Sequence, residues 1–143
     1  MATLVTRYQF AKALLDRLGL KPTKRRLWAL LAWMQAEGGN AKFNPLNTTH
    51  EMPNATNYNS VGVKNYATLH EGVIATAKTL DWGARHNLFG YKAIREALVQ
   101  NKWASVILAA VERSDWGTGG LALLCLPLIR TQFTKYSNVP IGQ

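Results

Sequence analysis

The residues best suited to chemistry begin with one glutamate. Glu37 stands directly before Gly38 and Gly39, where a helical pattern of apolar residues stops. A helix C-terminus carries partial negative charge, which disfavours a carboxylate, and Trp28 or Trp33 earlier in the same helix can add desolvation. Both effects keep the carboxyl protonated until it can be spent, which is what a general acid needs. The plainer alternative is a glutamate fraying into solvent. Downstream, Asn47, Thr48, Asn59 and Ser60 offer donors and acceptors for a hydroxyl-rich ligand, and Gly62 allows close backbone approach. Tyr58, Tyr66 and Trp116 offer flat faces, although each of these types also serves in turns and cores.

A second carboxylate is harder to find. Glu51, beside His50, is the only acid between Asn40 and Tyr66, and reads as a solvated hairpin-tip residue. Glu71 is explained by helix capping, Asp81 and Asp115 by helix-end turns. His50, His70 and His86 have no metal-ligand spacing, so neither a metal nor a cofactor is expected. Cys125, the one cysteine, lies in the apolar run Leu121 to Ile129, which implies a buried free thiol and no intramolecular disulfide.

Elements must hold these residues. Phe10, Leu14, Leu15 and Leu18 share one helical face, ended by Gly19. Thr23 can cap a second helix with Leu27, Leu30, Leu31 and Met34 at core spacing, ending at Glu37. From Asn40 to Tyr66 the helical period disappears, and the polar, Pro- and Gly-containing stretch predicts a loop and a small irregular β-hairpin with arms Pro45 to Thr49 and Asn59 to Tyr66. Thr68-Leu-His-Glu71 is a capping box opening a helix with Val73, Ile74, Ala77 and Leu80 inward. A turn containing Gly83 then leads to a helix with Tyr91, Ile94 and Leu98 inward, and another carries Trp103, Val106, Ile107, Ala110 and Val111. Ser114 to Gly120 is a glycine-rich loop. Leu121 to Ile129 reads as a core-packing helix kinked or ended at Pro127, and residues 131–143 as an irregular tail. The fold class is α+β, mainly α, with one domain over residues 1–130.

At this point the order of motifs is recognisable. Trp33-Met-Gln-Ala-Glu37-Gly-Gly, then Asn44-Pro-Leu-Asn-Thr-Thr49, then Asn57-Tyr-Asn-Ser-Val-Gly-Val-Lys-Asn-Tyr66 resembles the lysozyme-like domains encoded by phages of actinobacteria. Phe10-Ala-Lys-Ala-Leu-Leu15 and Ser114-Asp-Trp-Gly-Thr118 are similar to the flanking motifs of that family, so the resemblance covers roughly residues 8–120. More distantly, the order resembles goose-type lysozymes and lytic transglycosylases. One position departs: Asn54 stands where the family has the Gly of a Met-Pro-Gly turn, and Asn tolerates the left-handed conformation.

The resemblance implies a lysozyme-like fold and a peptidoglycan glycosidase in which Glu37 protonates the leaving oxygen of a glycosidic bond. Asn47, Thr48, Tyr58, Asn59, Ser60, Gly62, Tyr66 and Trp116 are then the expected substrate-binding residues. Two routes stay open: attack by a water held by Asn47, Thr48 or Ser60, or attack by the sugar's own hydroxyl to give an anhydro product. Other phage tail proteins are possible partners, and the expected location is a virion tail or the host cell wall after release.

Composition bounds these readings. The 143 residues carry 17 Lys+Arg against 8 Asp+Glu, a formal charge of +9, which implies an anionic partner such as wall polymer, nucleic acid or a membrane surface. The run Lys21-Pro-Thr-Lys-Arg-Arg26 sits at a helix N-terminus, where cations are unfavourable, and so calls for a partner. No zinc-ligand spacing, aromatic recognition motif or long basic run supports specific nucleic-acid binding. The N-terminus MATLVTRYQF lacks the pattern of a signal peptide, and no apolar segment is long enough to span a bilayer. The rival in a different class is a structural phage tail-tip protein that keeps a lysozyme-like fold with little or no catalysis.

Overall fold

The computed structural model describes residues 4–143. It is an α+β structure, mainly α: seven helices and one two-stranded antiparallel sheet among the described residues.

Helix α1 (Arg7–Arg17) starts on a capping box, in which the Thr6 hydroxyl accepts from the Gln9 backbone N–H and the Gln9 side chain accepts from the Thr6 N–H. Helix α2 (Lys24–Glu37) is capped by Thr23 and closed by Gly38 in the left-handed conformation, φ 57°. Its buried residues run unbroken from Ala29 to Met34, so more than one face is covered. That is why α2 becomes the centre of the molecule, packed by α1, α5 (Ala104–Arg113), α6 (Leu121–Thr131) and α7 (Phe133–Ser137). Removing a side chain such as Leu30 or Leu31, both essentially inaccessible, from this centre costs about 2–5 kcal/mol. Helix α3 (Leu69–Arg85) packs on α1 and on α4 (Tyr91–Val99).

Several expectations are corrected. The first hairpin arm is not Pro45 to Thr49: β1 is Thr56–Asn57, paired with β2 (Lys64–Asn65). The Pro45 to Thr49 segment is instead held by the buried Asn44 side chain, whose amide donates to the Thr48 and Lys64 carbonyls at 2.8 Å each. Gly83 lies inside α3, where a Cβ would collide with the Tyr91 ring, and the turn falls at His86 to Gly90. Glu71 reaches back to the Ala67 N–H, one residue before the cap. Trp103 and Val106 face outward, Trp103 beneath the Arg25 guanidinium at 3.7 Å. Pro127 neither ends α6 nor leaves it all in the core: Ala122, Leu126 and Ile129 are buried, while Leu121, Leu124 and Leu128 are exposed. Cys125 is only partly buried.

The C-terminal residues are not an irregular tail. They form α7 and then a backbone bridge in which Arg7 N–H donates to Val139 O and Ile141 N–H to Val5 O, and Ile141 joins the core. Phe43 N–H donates to Gly142 O, which fastens the loop after α2 to the same strand. The basic cluster also finds its partner inside the protein: Arg26, 8% exposed, donates to the carbonyls of Lys21, Leu98 and Val99, the last two at the C-terminal end of α4. No helix among the described residues is long and apolar enough to cross a membrane.

Candidate active site

Glu37 is the last residue of α2, and the two glycines after it act differently. Gly38 supplies the left-handed turn. Gly39 supplies room, because a Cβ there would stand 2.7 Å from Pro45 O and 2.9 Å from both Asn44 O and Asn47 Oδ1. The chain therefore doubles back and brings Asn47, itself at φ 58°, against the helix end. Asn47 Nδ2 donates to Glu37 Oε2 at 3.0 Å and leans on the Glu37 carbonyl at 3.4 Å.

Electrostatics favour a proton on this carboxyl. Burial raises the Glu37 pKa; the Asn47 amide and nearby Trp33 oppose the shift, and the charge of Glu112 adds to it. The Trp33 indole, 2% exposed, leaves its Nε1 without any hydrogen-bond partner although it lies close enough to favour the Glu37 anion. Trp28, the other tryptophan of α2, is instead covered by Arg130 at 5.6 Å. Glu112 is no free base: its carboxylate accepts from the Thr118 hydroxyl and backbone N–H, which shapes the glycine-rich loop. Glu51 pairs with Lys64 at 2.7 Å on the hairpin surface.

A line of rings leads outward from Glu37. Trp33 meets Trp116 edge-on at 4.8 Å, Trp116 meets Tyr91 at 5.3 Å, Tyr91 meets Phe89 at 5.4 Å, and Phe89 stacks on Trp82 at 6.2 Å. Trp33 and Trp116 are buried and Tyr91 partly so, whereas Trp82 and Phe89 are almost half exposed and, with Tyr91, Thr49, His50, Thr79 and Asp115, line a cleft of about 460 Å³. Glu37 is not on that wall. Tyr91 lies on it, and burial, followed by the charges of Asp115 and Glu37, raises the Tyr91 pKa. Phe89 is a bulky residue at φ 63°, a strained conformation held by Asp115 N–H donating to its carbonyl at 2.9 Å.

The expected binding residues divide. Asn47 is brought to Glu37, but as the partner of the acid. Thr48 is buried and its hydroxyl meets that of Thr79 at 2.5 Å. Tyr66 is buried, its hydroxyl donates to His50 O at 2.6 Å, and burial drives its pKa up. Trp116 is packed inside and its indole N–H donates to Leu46 O at 2.9 Å. These three support the site from behind and offer no face to a ligand. Asn59 spends its side-chain oxygen on the Val61 and Val63 N–H groups, which shapes the turn that Gly62 completes at φ 95°. Tyr58, Asn59 and Ser60 are exposed on the hairpin, and none of them lines the cleft beside Tyr91.

Trp82, Phe89 and Glu112 are the residues that sequence reasoning missed. Reading Gly83 as a turn hid Trp82, and no sequence pattern announces the positive φ of Phe89. Among the described residues no group of three His, Cys, Asp or Glu side chains is placed to hold a metal ion. Comparison of the chain with protein-family models, with curated proteins and with solved structures finds no match.

Proposed function

We propose that this protein is a phage-type, lysozyme-like glycosidase that cleaves the glycan strands of bacterial peptidoglycan, acting from a virion tail or at the host wall after release. The observation that supports it best is Glu37 itself: a carboxyl at a helix C-terminus, partly desolvated and held by Asn47, in the same helix as Trp33, from which Trp116 and Tyr91 lead to an aromatic cleft. Such a group donates a proton to a leaving oxygen. Trp82 and Phe89 provide flat apolar faces for sugar rings, and Thr49 provides a hydroxyl partner. Hydrolysis and intramolecular attack by a sugar hydroxyl share this first step, and mass spectrometry of the released ends, reducing or anhydro, separates them.

The test is release of soluble fragments from actinobacterial peptidoglycan by wild type and Glu37→Gln. Loss of about 10²–10⁴-fold in rate with the fold intact is the expected result. Unchanged turnover would remove Glu37 from the mechanism. The exposed apolar residues Leu121, Leu124 and Leu128 on α6 favour a second reading, a structural tail component with little catalysis. That reading predicts no fragment release by wild type either.

A further inference from the structure

Of the basic run Lys21 to Arg26, only Arg26 is spent inside the protein. The rest is carried against the connection between α4 and α5. The Thr23 hydroxyl donates to Asn101 Oδ1 at 2.6 Å, Arg25 donates to Asn101 O at 3.1 Å, and Arg26 holds the Leu98 and Val99 carbonyls. Lys21, Lys24 and Arg25 are thereby set beside Lys102, and none of the four makes an ion pair among the described residues. Nor do they serve the helix: the first turn of α2 holds Lys24, Arg25 and Arg26 and no acid, an arrangement its dipole disfavours. Glu96, the acid closest in sequence to either segment, is set among Arg17, Arg85 and Arg95 on the groove along α3. Apolar side chains stand among these cations. Trp103 is 60% exposed, more open than any other Trp, Tyr or Phe among the described residues, and carries the Arg25 guanidinium on its ring. Val99, whose carbonyl Arg26 holds, and Val106, one turn after Trp103, are 49% and 42% exposed.

We propose that this face, the start of α2 together with the α4–α5 connection, docks the protein on the surface of an anionic lipid bilayer. Lysine and arginine attract phosphate headgroups, a tryptophan settles at headgroup level, and the two valines enter the shallow apolar layer beneath. The valines favour lipid over nucleic acid, which would use the charges and the ring but leave Val99 and Val106 in water. A second copy of the chain is opposed by the net charge of +9. Docking is peripheral, since no helix among the described residues is long and apolar enough to cross the bilayer. It is independent of glycan cleavage.

Co-sedimentation with vesicles tests this, phosphatidylcholine alone against phosphatidylcholine mixed with phosphatidylglycerol. Binding about a hundredfold tighter to the mixed vesicles, weakening as salt rises, is the expected result. Lys24→Glu/Lys102→Glu should lose about tenfold or more of that affinity. Lys24→Glu also gives α2 the acidic first turn its dipole favours, so this loss is not one of folding. Trp103→Ser should weaken binding about tenfold, the worth of one large side chain returned to water. Absent binding or equal binding to the two vesicles overturns the proposal. Undiminished binding by either variant also overturns it, in favour of another surface such as the exposed leucines of α6. A single-stranded DNA oligomer that binds as tightly as the mixed vesicles and depends on the same residues overturns it in favour of a general polyanion site.

Discussion

Two helix C-termini in this protein meet opposite charges. The end of α4 receives the guanidinium of Arg26, which satisfies the carbonyls of Leu98 and Val99 and complements the helix dipole. The end of α2 carries the carboxyl of Glu37, which the dipole disfavours and which burial makes more costly to ionise. The first arrangement lowers the free energy of the fold. The second raises it at neutral pH, and the chain keeps it through a doubled-back loop and the amide of Asn47. One end therefore serves stability, and the other is the end to which the proposed acid role is assigned.

Substitution should separate them. Glu37→Gln has the largest expected effect, the loss of activity described above, and it should move stability the other way. Below the ordinary carboxyl range Glu37 is neutral whether the chain is folded or unfolded, so the variant and wild type should melt alike. As pH rises through that range toward the raised pKa of Glu37, ionisation costs the wild-type fold stability that glutamine does not lose. Thermal melts at pH 3 and pH 7 should therefore agree at the lower pH and favour the variant at the higher. A destabilised Glu37→Gln at pH 7 would break the contrast.

Arg26→Ala should do the reverse. Loss of three hydrogen bonds from a buried cation is expected to cost about 2–4 kcal/mol in denaturant titration, with turnover retained while the chain stays folded. Asn47→Gly keeps the left-handed backbone but removes the amide that favours the Glu37 anion. Its pH–rate profile should extend to higher pH on the alkaline side, with a rate loss of about tenfold from poorer orientation. Asp115→Asn should be mildest, under about tenfold, because its backbone N–H rather than its exposed side chain holds Phe89. A loss as large as that of Glu37→Gln would make Asp115 a second catalytic carboxylate.

The sequence shows one of these helix ends more clearly than the other. Thr23, the Leu27 to Met34 spacing and the Gly38-Gly39 stop place Glu37 at a helix end, because caps and periodicity are local. Arg26 reaches α4 some seventy positions away, and its cluster reads only as a basic turn in want of a partner. The same distinction explains the hairpin. Asn44 looks like any loop asparagine, yet its side chain ties the Pro45 to Thr49 segment to Lys64, while the strand that pairs with Lys64–Asn65 is Thr56–Asn57. Tyr66 and Trp116 have the right chemistry for a sugar platform, and only their burial, set by long-range packing, turns them into supports. Gly83 is a glycine for contact with Tyr91 rather than for a turn, and no single position distinguishes the two uses.

The bridge between the chain ends has a mechanical consequence. Val5 and Arg7 are paired with Ile141 and Val139 side by side, so tension applied to the two ends loads these bonds one after another, as in opening a zipper. The Phe43 to Gly142 bond lies next along the same strand. Its release frees the loop that carries Asn47 while the helices around α2 are still packed. Under load, the protein should lose its aim at Glu37 before it loses its core, and a force-extension trace should show a small early step ahead of the main rupture.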